Sequence, residues 1–156
     1  MCVDTNGDSE KRVHSMKNRQ WHTLAFFYCQ NVPGSSELDR QALEKRYGSC
    51  IRLFPVPCSG RVEPIHLLRA LEEFADIAYV ITCPEGSCRY FEGNRRAKKR
   101  VERARAIIAS IGLEAERLGI MVSSEKAPKE LSTAVEEVYE RTYHIKPSPV
   151  LNTSAA

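Results

Sequence analysis

The sequence ITCPEGSCRYFEGN, residues 81–94, joins the end of an apolar run to the start of a strongly basic segment. It carries Cys83 and Cys88 in the turn between them. Two further cysteines, Cys29 and Cys58, also follow apolar runs. Because the carboxyl ends of parallel strands lie along one edge of an open α/β sheet, this arrangement predicts that cysteines distant in sequence meet at that edge.

Apolar runs alternate four times with segments of helical periodicity. The strands are expected at residues 23–29, 50–56, 78–82 and 119–123, and the helices at 35–46, 64–74, 93–111 and 128–143. In the first helix, Leu38, Ala42 and Leu43 are expected to face inward. The alternation predicts a single α/β domain with a four-stranded parallel sheet in the order 2-1-3-4, flanked by helices in a flavodoxin-like or Rossmann-like arrangement.

Length and composition indicate one globular domain, with 156 residues of which 42% are hydrophobic and 28% charged. The domain is expected at residues 21–145, after a polar arm at 1–20 and before an extended tail at 146–156. No apolar run is long enough to span a membrane, and the start lacks the apolar centre of a signal peptide, so a cytoplasmic location is expected. A net charge of +3 gives no reason to invoke nucleic acid.

Six cysteines in such a chain need a chemical explanation. Disulfides are disfavoured in a reducing compartment, and a chain of this size folds without them. Thiols that pack as small hydrophobic groups are the simplest alternative, and they account for Cys2 and Cys50, which follow no strand end. For the other four, the position favours ligation of a metal over packing.

Four thiolates suit either a structural zinc ion or an iron–sulfur cluster. The sequence has no Cys-x2-Cys knuckle, so ligands at 29, 58, 83 and 88 favour a cluster held by separate loops. The number four does not choose between a [2Fe–2S] and a [4Fe–4S] cluster, and a zinc site or a metal-free site remains an alternative. Turn amides at 59–61 and 85–87 can point at sulfurs, and Arg61 and Arg89 can offset their charge.

The motif CSGRVEP at 58–64, followed by residues 83–94 and the Arg/Lys run through Glu102, resembles the iron–sulfur delta subunit of methyl-viologen-reducing hydrogenase. The resemblance covers residues 23–140. It implies a [2Fe–2S] cluster that passes electrons between a donor module and the flavin-containing A subunit of heterodisulfide reductase. Related copies are expected in other assemblies of strict anaerobes, including the benzoyl-coenzyme A reductase complex.

The chain departs from the family pattern at the first strand, which typically ends in Cys-Cys-x-x-Cys. Only Cys29 remains here, so the expected ligands are Cys29, Cys58, Cys83 and Cys88. Cys50 is the alternative fourth ligand.

A dense basic patch follows the cysteine motif, at 95–100 with Arg103 and Arg105. A solvated helix face or a docking surface for an acidic redox partner is favoured over a nucleic-acid surface. No Ser-His-Asp set, paired carboxylates or phosphate-binding glycine loop is present. The sequence therefore predicts a non-catalytic electron-transfer subunit of an oxidoreductase complex. A zinc-stabilised interaction module and a nucleic-acid-binding domain that uses the basic helix are the alternatives.

Overall fold

The computed structural model describes residues 22–152, apart from the side chain of Asn152, so the predicted arm at 1–20 lies outside the described residues. The strands are β1 Leu24–Cys29, β2 Ile51–Val56, β3 Ile77–Ile81 and β4 Leu118–Met121. The helices are α1 Glu37–Tyr47, α2 Pro64–Glu73, α3 Gly93–Ser110, α4 Leu131–Thr142 and α5 Pro149–Asn152. Within this part of the chain, no helix combines the length and the apolar character needed to cross a membrane.

The four strands form one parallel sheet in the order β2-β1-β3-β4, which confirms the predicted fold. Leu24, the first residue of β1, pairs with Ile51 of β2 and with Ile77 of β3. The starts of these three strands are therefore level with one another. As a result, the loops that follow β1, β2 and β3 leave the sheet side by side at its carboxyl edge.

Both faces of the sheet are covered by helices, because the strands alternate side chains between two separate apolar cores. Phe26 and Tyr28 pack in the core that also contains residues of α1 and α4. Ala25 and Val80 pack in the core on the other face, with residues of α2 and α3. The result is a three-layer α/β/α domain.

Helix α1 differs from the sequence-based expectation at two of its three predicted core positions. Leu43 is buried, but Leu38 is 78% exposed and Ala42 is also exposed. A helix advances about 100° per residue, so Leu38 lies about 140° around the axis from Leu43. Since α1 touches the sheet through one narrow stripe only, it cannot bury both.

The C-terminal segment, predicted to be extended from residue 146, contains the short helix α5. The backbone N–H of Ser148 donates to Asp76 Oδ1 at 2.6 Å, and the N–H of Thr23 donates to Asp76 Oδ2 at 2.9 Å. One carboxylate just before β3 therefore fastens both the segment before β1 and the segment before α5.

Replacing Gly119 by alanine tests the packing of the edge strand. Gly119 of β4 pairs with Tyr79 of β3, and a Cβ at Gly119 would overlap the Tyr79 ring. We expect Gly119→Ala to lower the free energy of unfolding by about 1–3 kcal/mol, as overpacking in a core does. Urea denaturation measures this loss. In a Tyr79→Leu background the same change should be much less destabilising, and an equal loss in both backgrounds would contradict the explanation.

Candidate metal centre

The four predicted ligands all lie at or just beyond the carboxyl edge of the sheet. Cys29 ends β1, Cys58 lies two residues beyond β2, and Cys83 lies two residues beyond β3. Cys88 lies in the loop between β3 and α3. All four carry free thiols, and all are buried except Cys88, which is half-buried.

Their sulfurs are close enough to influence one another. Cys29 and Cys88 both lie near enough to Cys83 to raise the pKa of its thiol, and both also raise the pKa of Cys58. The structure therefore brings together the cysteines that the sequence selected. Their role as ligands remains a prediction, because no three His, Cys, Asp or Glu side chains of residues 22–152 are preassembled around a single-ion site.

A contact between two glycines holds the loop after β2 against the first turn of α3. A Cβ at Gly60 would lie 2.9 Å from the Gly93 Cα. A Cβ at Gly93 would lie 2.5 Å from the sulfur of Cys58 and 2.9 Å from that of Cys88. Both sulfurs therefore rest over the bare backbone of Gly93. Neither position has room for a side chain.

The first turn of α3 directs backbone N–H groups at the sulfur of Cys88. Burial raises the pKa of this thiol, but the N–H groups of Tyr90, Gly93 and Asn94 and the neighbouring Cys83 side chain outweigh that effect, so its pKa is lowered. These donors favour a thiolate, as is general at helix N-termini.

The other two perturbed thiols shift in the opposite direction. Burial raises the pKa of Cys58, although the N–H of Gly60 opposes the rise. Burial, together with the neighbouring Cys29 and Cys88, raises the pKa of Cys83 to about 12. At neutral pH and without metal these two thiols are therefore protonated, and a bound cation would reverse the balance.

Two side chains of α3 hold the cysteine loops in place. Asn94 Nδ2 donates to the carbonyl oxygens of Cys83 and Pro84 at 2.9 and 3.3 Å, and the Cys83 thiol donates to Asn94 Oδ1 at 3.3 Å. Arg100 donates to the carbonyl oxygen of Gly60 and pairs with Glu63 at 2.7 Å.

The sequence alone suggested a solvated basic patch for Arg100 and no role for Asn94. One signal was present in the spacing. Asn94 lies in the first turn of a helix directly after a cysteine loop, where a side chain can reach back to that loop. Arg100 lies further along the helix and reaches a different loop, at Gly60, which the spacing does not indicate.

Cys50 lies at the amino ends of the strands, whereas the four sulfurs lie at their carboxyl ends. It is buried in the 3₁₀ turn Gly48–Cys50, which immediately precedes β2. A strand of six residues spans about 20 Å, so β2 separates Cys50 from Cys58 by roughly that length. The distance therefore favours Cys29 over Cys50 as the fourth ligand, and the ligand set stays a prediction.

The surroundings fit an anionic, sulfur-ligated group. The donor set is four thiols, backbone N–H groups point at two of them, and the sulfurs of Cys58 and Cys88 lie against backbone that carries no side chain. The Ser59 hydroxyl, next to Cys58, is fully buried and has no hydrogen-bond partner among the described residues. Buried hydroxyls are normally satisfied, so an orphaned one beside a ligand-rich loop is itself a sign of a bound group.

Adding a methyl group at Gly93 tests whether this bare backbone is needed for metal retention. Gly93→Ala would push apart the sulfurs of Cys58 and Cys88, so we expect the iron retained per chain after anaerobic loading and desalting to fall severalfold. The matched control is Gly112→Ala after the other end of α3. Its φ is +86° and its Cβ would meet nothing within 4 Å, so it should lower stability without lowering metal content. Equal iron retention in the Gly93 variant and the parent chain would contradict the site.

Alkylation of the metal-free chain tests the thiol electrostatics. Thiolates are the reactive form, so at pH 7 Cys88, with its lowered pKa, should react with iodoacetamide well before Cys58 and Cys83, whose pKa values are raised. Labelling of Cys88 should slow as the pH falls through its pKa. Peptide mass spectrometry over a time course measures the order. In urea the three rates should converge, and labelling of Cys83 before Cys88 in the folded chain would contradict the assignment.

Residues 24–145 match the family described as "Methyl-viologen-reducing hydrogenase, delta subunit". Two relatives, both named as vhu iron–sulfur subunits of F420-non-reducing hydrogenase, are similar over most of their length. The one from Methanopyrus kandleri is 34% identical over 102 residues, which are 65% of this chain and 77% of the relative. The one from Methanocaldococcus jannaschii is 27% identical over 127 residues, 81% of this chain and 94% of the relative.

A third relative is a much longer protein from Methanosarcina acetivorans. It is named as the A subunit of a ferredoxin/F(420)H(2)-dependent CoB-CoM heterodisulfide reductase, and it is 31% identical over 121 residues, which are 78% of this chain but 14% of that protein. The same resemblance that the two cysteine motifs indicated thus extends across the whole sheet. Since the family match spans all four strands and the loops that carry the four thiols, this chain belongs to the delta subunit family of methyl-viologen-reducing hydrogenase.

Proposed function

We propose that this chain holds one [2Fe–2S] cluster through Cys29, Cys58, Cys83 and Cys88 and relays electrons within a larger oxidoreductase complex. The observation that carries the proposal is the convergence of these four thiols at one edge of the sheet, under the first turn of α3. When bound, the cluster would accept and release one electron at a time. The chain itself holds the sulfurs and sets their electrostatic surroundings.

The backbone around the sulfurs suits this role. A cluster ligated by thiolates is anionic, and hydrogen bonds to its sulfurs shift its reduction potential upward. The N–H of Gly60 is directed at Cys58, and those of Gly93 and Asn94 at Cys88. These donors belong to the backbone, so they keep their position when the charge of the cluster changes.

The partner we propose is a flavoprotein like the A subunit of heterodisulfide reductase, together with other redox subunits of the complex. The relative from Methanosarcina acetivorans, which carries that name, contains within one polypeptide a region similar to 78% of this chain. That relative joins a region like this chain to an A subunit in one polypeptide. Such a fusion supports direct contact between this chain and a separate A-subunit-like flavoprotein. Relatives named as hydrogenase iron–sulfur subunits support a hydrogenase as the donor module. A benzoyl-coenzyme A reductase complex and a cytoplasmic location remain predictions from the sequence.

Anaerobic loading with iron and sulfide tests the cofactor. We expect about two iron atoms and two sulfides per chain, a red-brown colour that bleaches on reduction, and an electron paramagnetic resonance signal in the reduced state only. Cys58→Ser and Cys83→Ser should each abolish the colour. Cys50→Ser is the matched control and should keep it, because Cys50 lies at the far edge of the sheet.

Other outcomes would select one of the alternatives. One zinc per chain in a colourless protein would support a zinc-stabilised module in place of a cluster. Tight binding of nucleic acid that weakens steeply with added salt would support the basic helix α3 as a nucleic-acid surface.

A further inference from the structure

A groove runs along the outer edge of the sheet and opens beside the least buried of the four sulfurs. It is about 650 Å³ in volume, and its floor is the edge strand at Ile120, Met121 and Val122. Cys88 and Phe91 line one end. A second hollow of about 290 Å³ continues along the same strand and shares Ile120 and Arg141 with the first.

The floor of this groove presents backbone groups that have no strand partner among residues 22–152. Within the sheet β4 pairs with β3 only. The carbonyl oxygens of Met121 and Ser123 accept inward-facing bonds from Thr82 and Glu85, at 3.0 and 2.8 Å. Because alternate residues of a strand point their N–H and C=O groups to opposite sides, Ile120 and Val122 present theirs to the groove.

The walls of the groove are mainly basic, with four Lys and Arg side chains against the two acidic ones of Glu85 and Glu137. Arg95 and Lys98 of α3 form one wall, and Lys129 and Arg141 lie on the side of α4. Glu137 already pairs with Lys129 at 2.5 Å and with Arg141 at 2.9 Å. Among the described residues Arg95 and Lys98 have no ion pair, so their charge is available to an acidic ligand.

Phe91 stands at the mouth of the groove beside Cys88. Its side chain is 94% exposed, and its backbone has φ = 58°, a conformation that L-residues other than asparagine rarely adopt. Aromatic side chains are enriched among the residues that anchor protein interfaces, so a ring exposed at this place beside Cys88 is suited to contact a partner.

The chain outside the described residues is a poor match for this groove. Residues 1–21 carry three acidic and four basic side chains, and 153–156 carry no charged side chain. Neither segment complements the basic walls. We propose that the groove receives an extended acidic segment of the redox partner, which pairs with the outer edge of β4, contacts Arg95 and Lys98 through carboxylates, and meets Phe91 next to Cys88.

This inference rests on the proposed function for the identity of the partner. The probe is therefore a flavoprotein A subunit of heterodisulfide reductase, added to the iron-loaded full chain under anaerobic conditions. We expect the Arg95→Glu/Lys98→Glu variant to bind it at least about tenfold more weakly at low salt, with the difference shrinking as salt rises. The control is Lys45→Glu/Arg69→Glu, which changes net charge equally on α1 and α2 and should leave affinity within about twofold.

A second pair of variants tests the apolar contact, and hydrogen exchange tests the strand edge. Phe91→Ala should weaken binding about tenfold, whereas Leu38→Ala, which removes another highly exposed apolar side chain, from α1, should not. The amides of Ile120 and Val122 should exchange readily in the free chain and become protected in the complex.

The outcomes distinguish a failure of the groove from a failure of the cofactor. A chain that holds its cluster and binds the flavoprotein with unchanged affinity in both groove variants overturns the groove and leaves the cluster intact. Protection of the Ile120 and Val122 amides in the free chain would mean that other residues of this chain already pair with β4, and it would also contradict docking of a partner segment in the groove. If the chain takes up no iron but binds the flavoprotein through the groove, the proposed cluster is wrong and the docking surface stands. No binding of the flavoprotein to the iron-loaded chain overturns the groove together with the proposed partner.

Discussion

The contact between the backbones of Gly60 and Gly93 is the constraint on which the rest of the site depends. Gly60 lies in the connection after β2 and Gly93 begins α3, and nothing separates them because neither has a side chain. Their approach places the sulfurs of Cys58 and Cys88 over one patch of backbone. Arg100 fixes the same pair of elements from the side, by donating to the Gly60 carbonyl. A parallel sheet alone would bring the strand ends near each other, but this contact closes the remaining gap.

The thiols of the site differ in pKa without a metal, because backbone N–H groups point at some sulfurs and not at others. The sulfur of Cys88 faces N–H groups and has a lowered pKa, while burial among other thiols raises the pKa of Cys83 to about 12. Deprotonating all of them in that small volume requires positive charge, which backbone dipoles supply only in part. A bound cation or cationic cluster core would complete the balance. A site of this kind is stable either protonated or metal-bound, and the deprotonated empty state is disfavoured.

Much of this arrangement could be predicted from sequence, because it follows from periodicity. Alternating strands and helices indicated the parallel order, and a cysteine at the end of a strand is placed by that order alone, as for Cys29 and Cys83. The sequence-based predictions were wrong or incomplete where the position of a side chain depends on packing between distant elements. Leu38 is apolar and in a helix, yet it points to solvent because α1 meets the sheet along one stripe. The role of Gly93 depends on which loop crosses it, and that of Arg100 on a carbonyl forty residues away. Neither relation leaves a local pattern.

The turn at Phe91 links the interior site to the outer surface. Its N–H donates to the carbonyl of Cys88 at 3.0 Å, and its left-handed backbone reverses the chain just before α3 begins. That reversal allows the first N–H groups of α3 to face the Cys88 sulfur, and it also turns the Phe91 ring into solvent. Both consequences therefore depend on one backbone conformation, that of Phe91. The proposed partner segment would therefore contact a side chain whose own backbone helps to position the Cys88 sulfur.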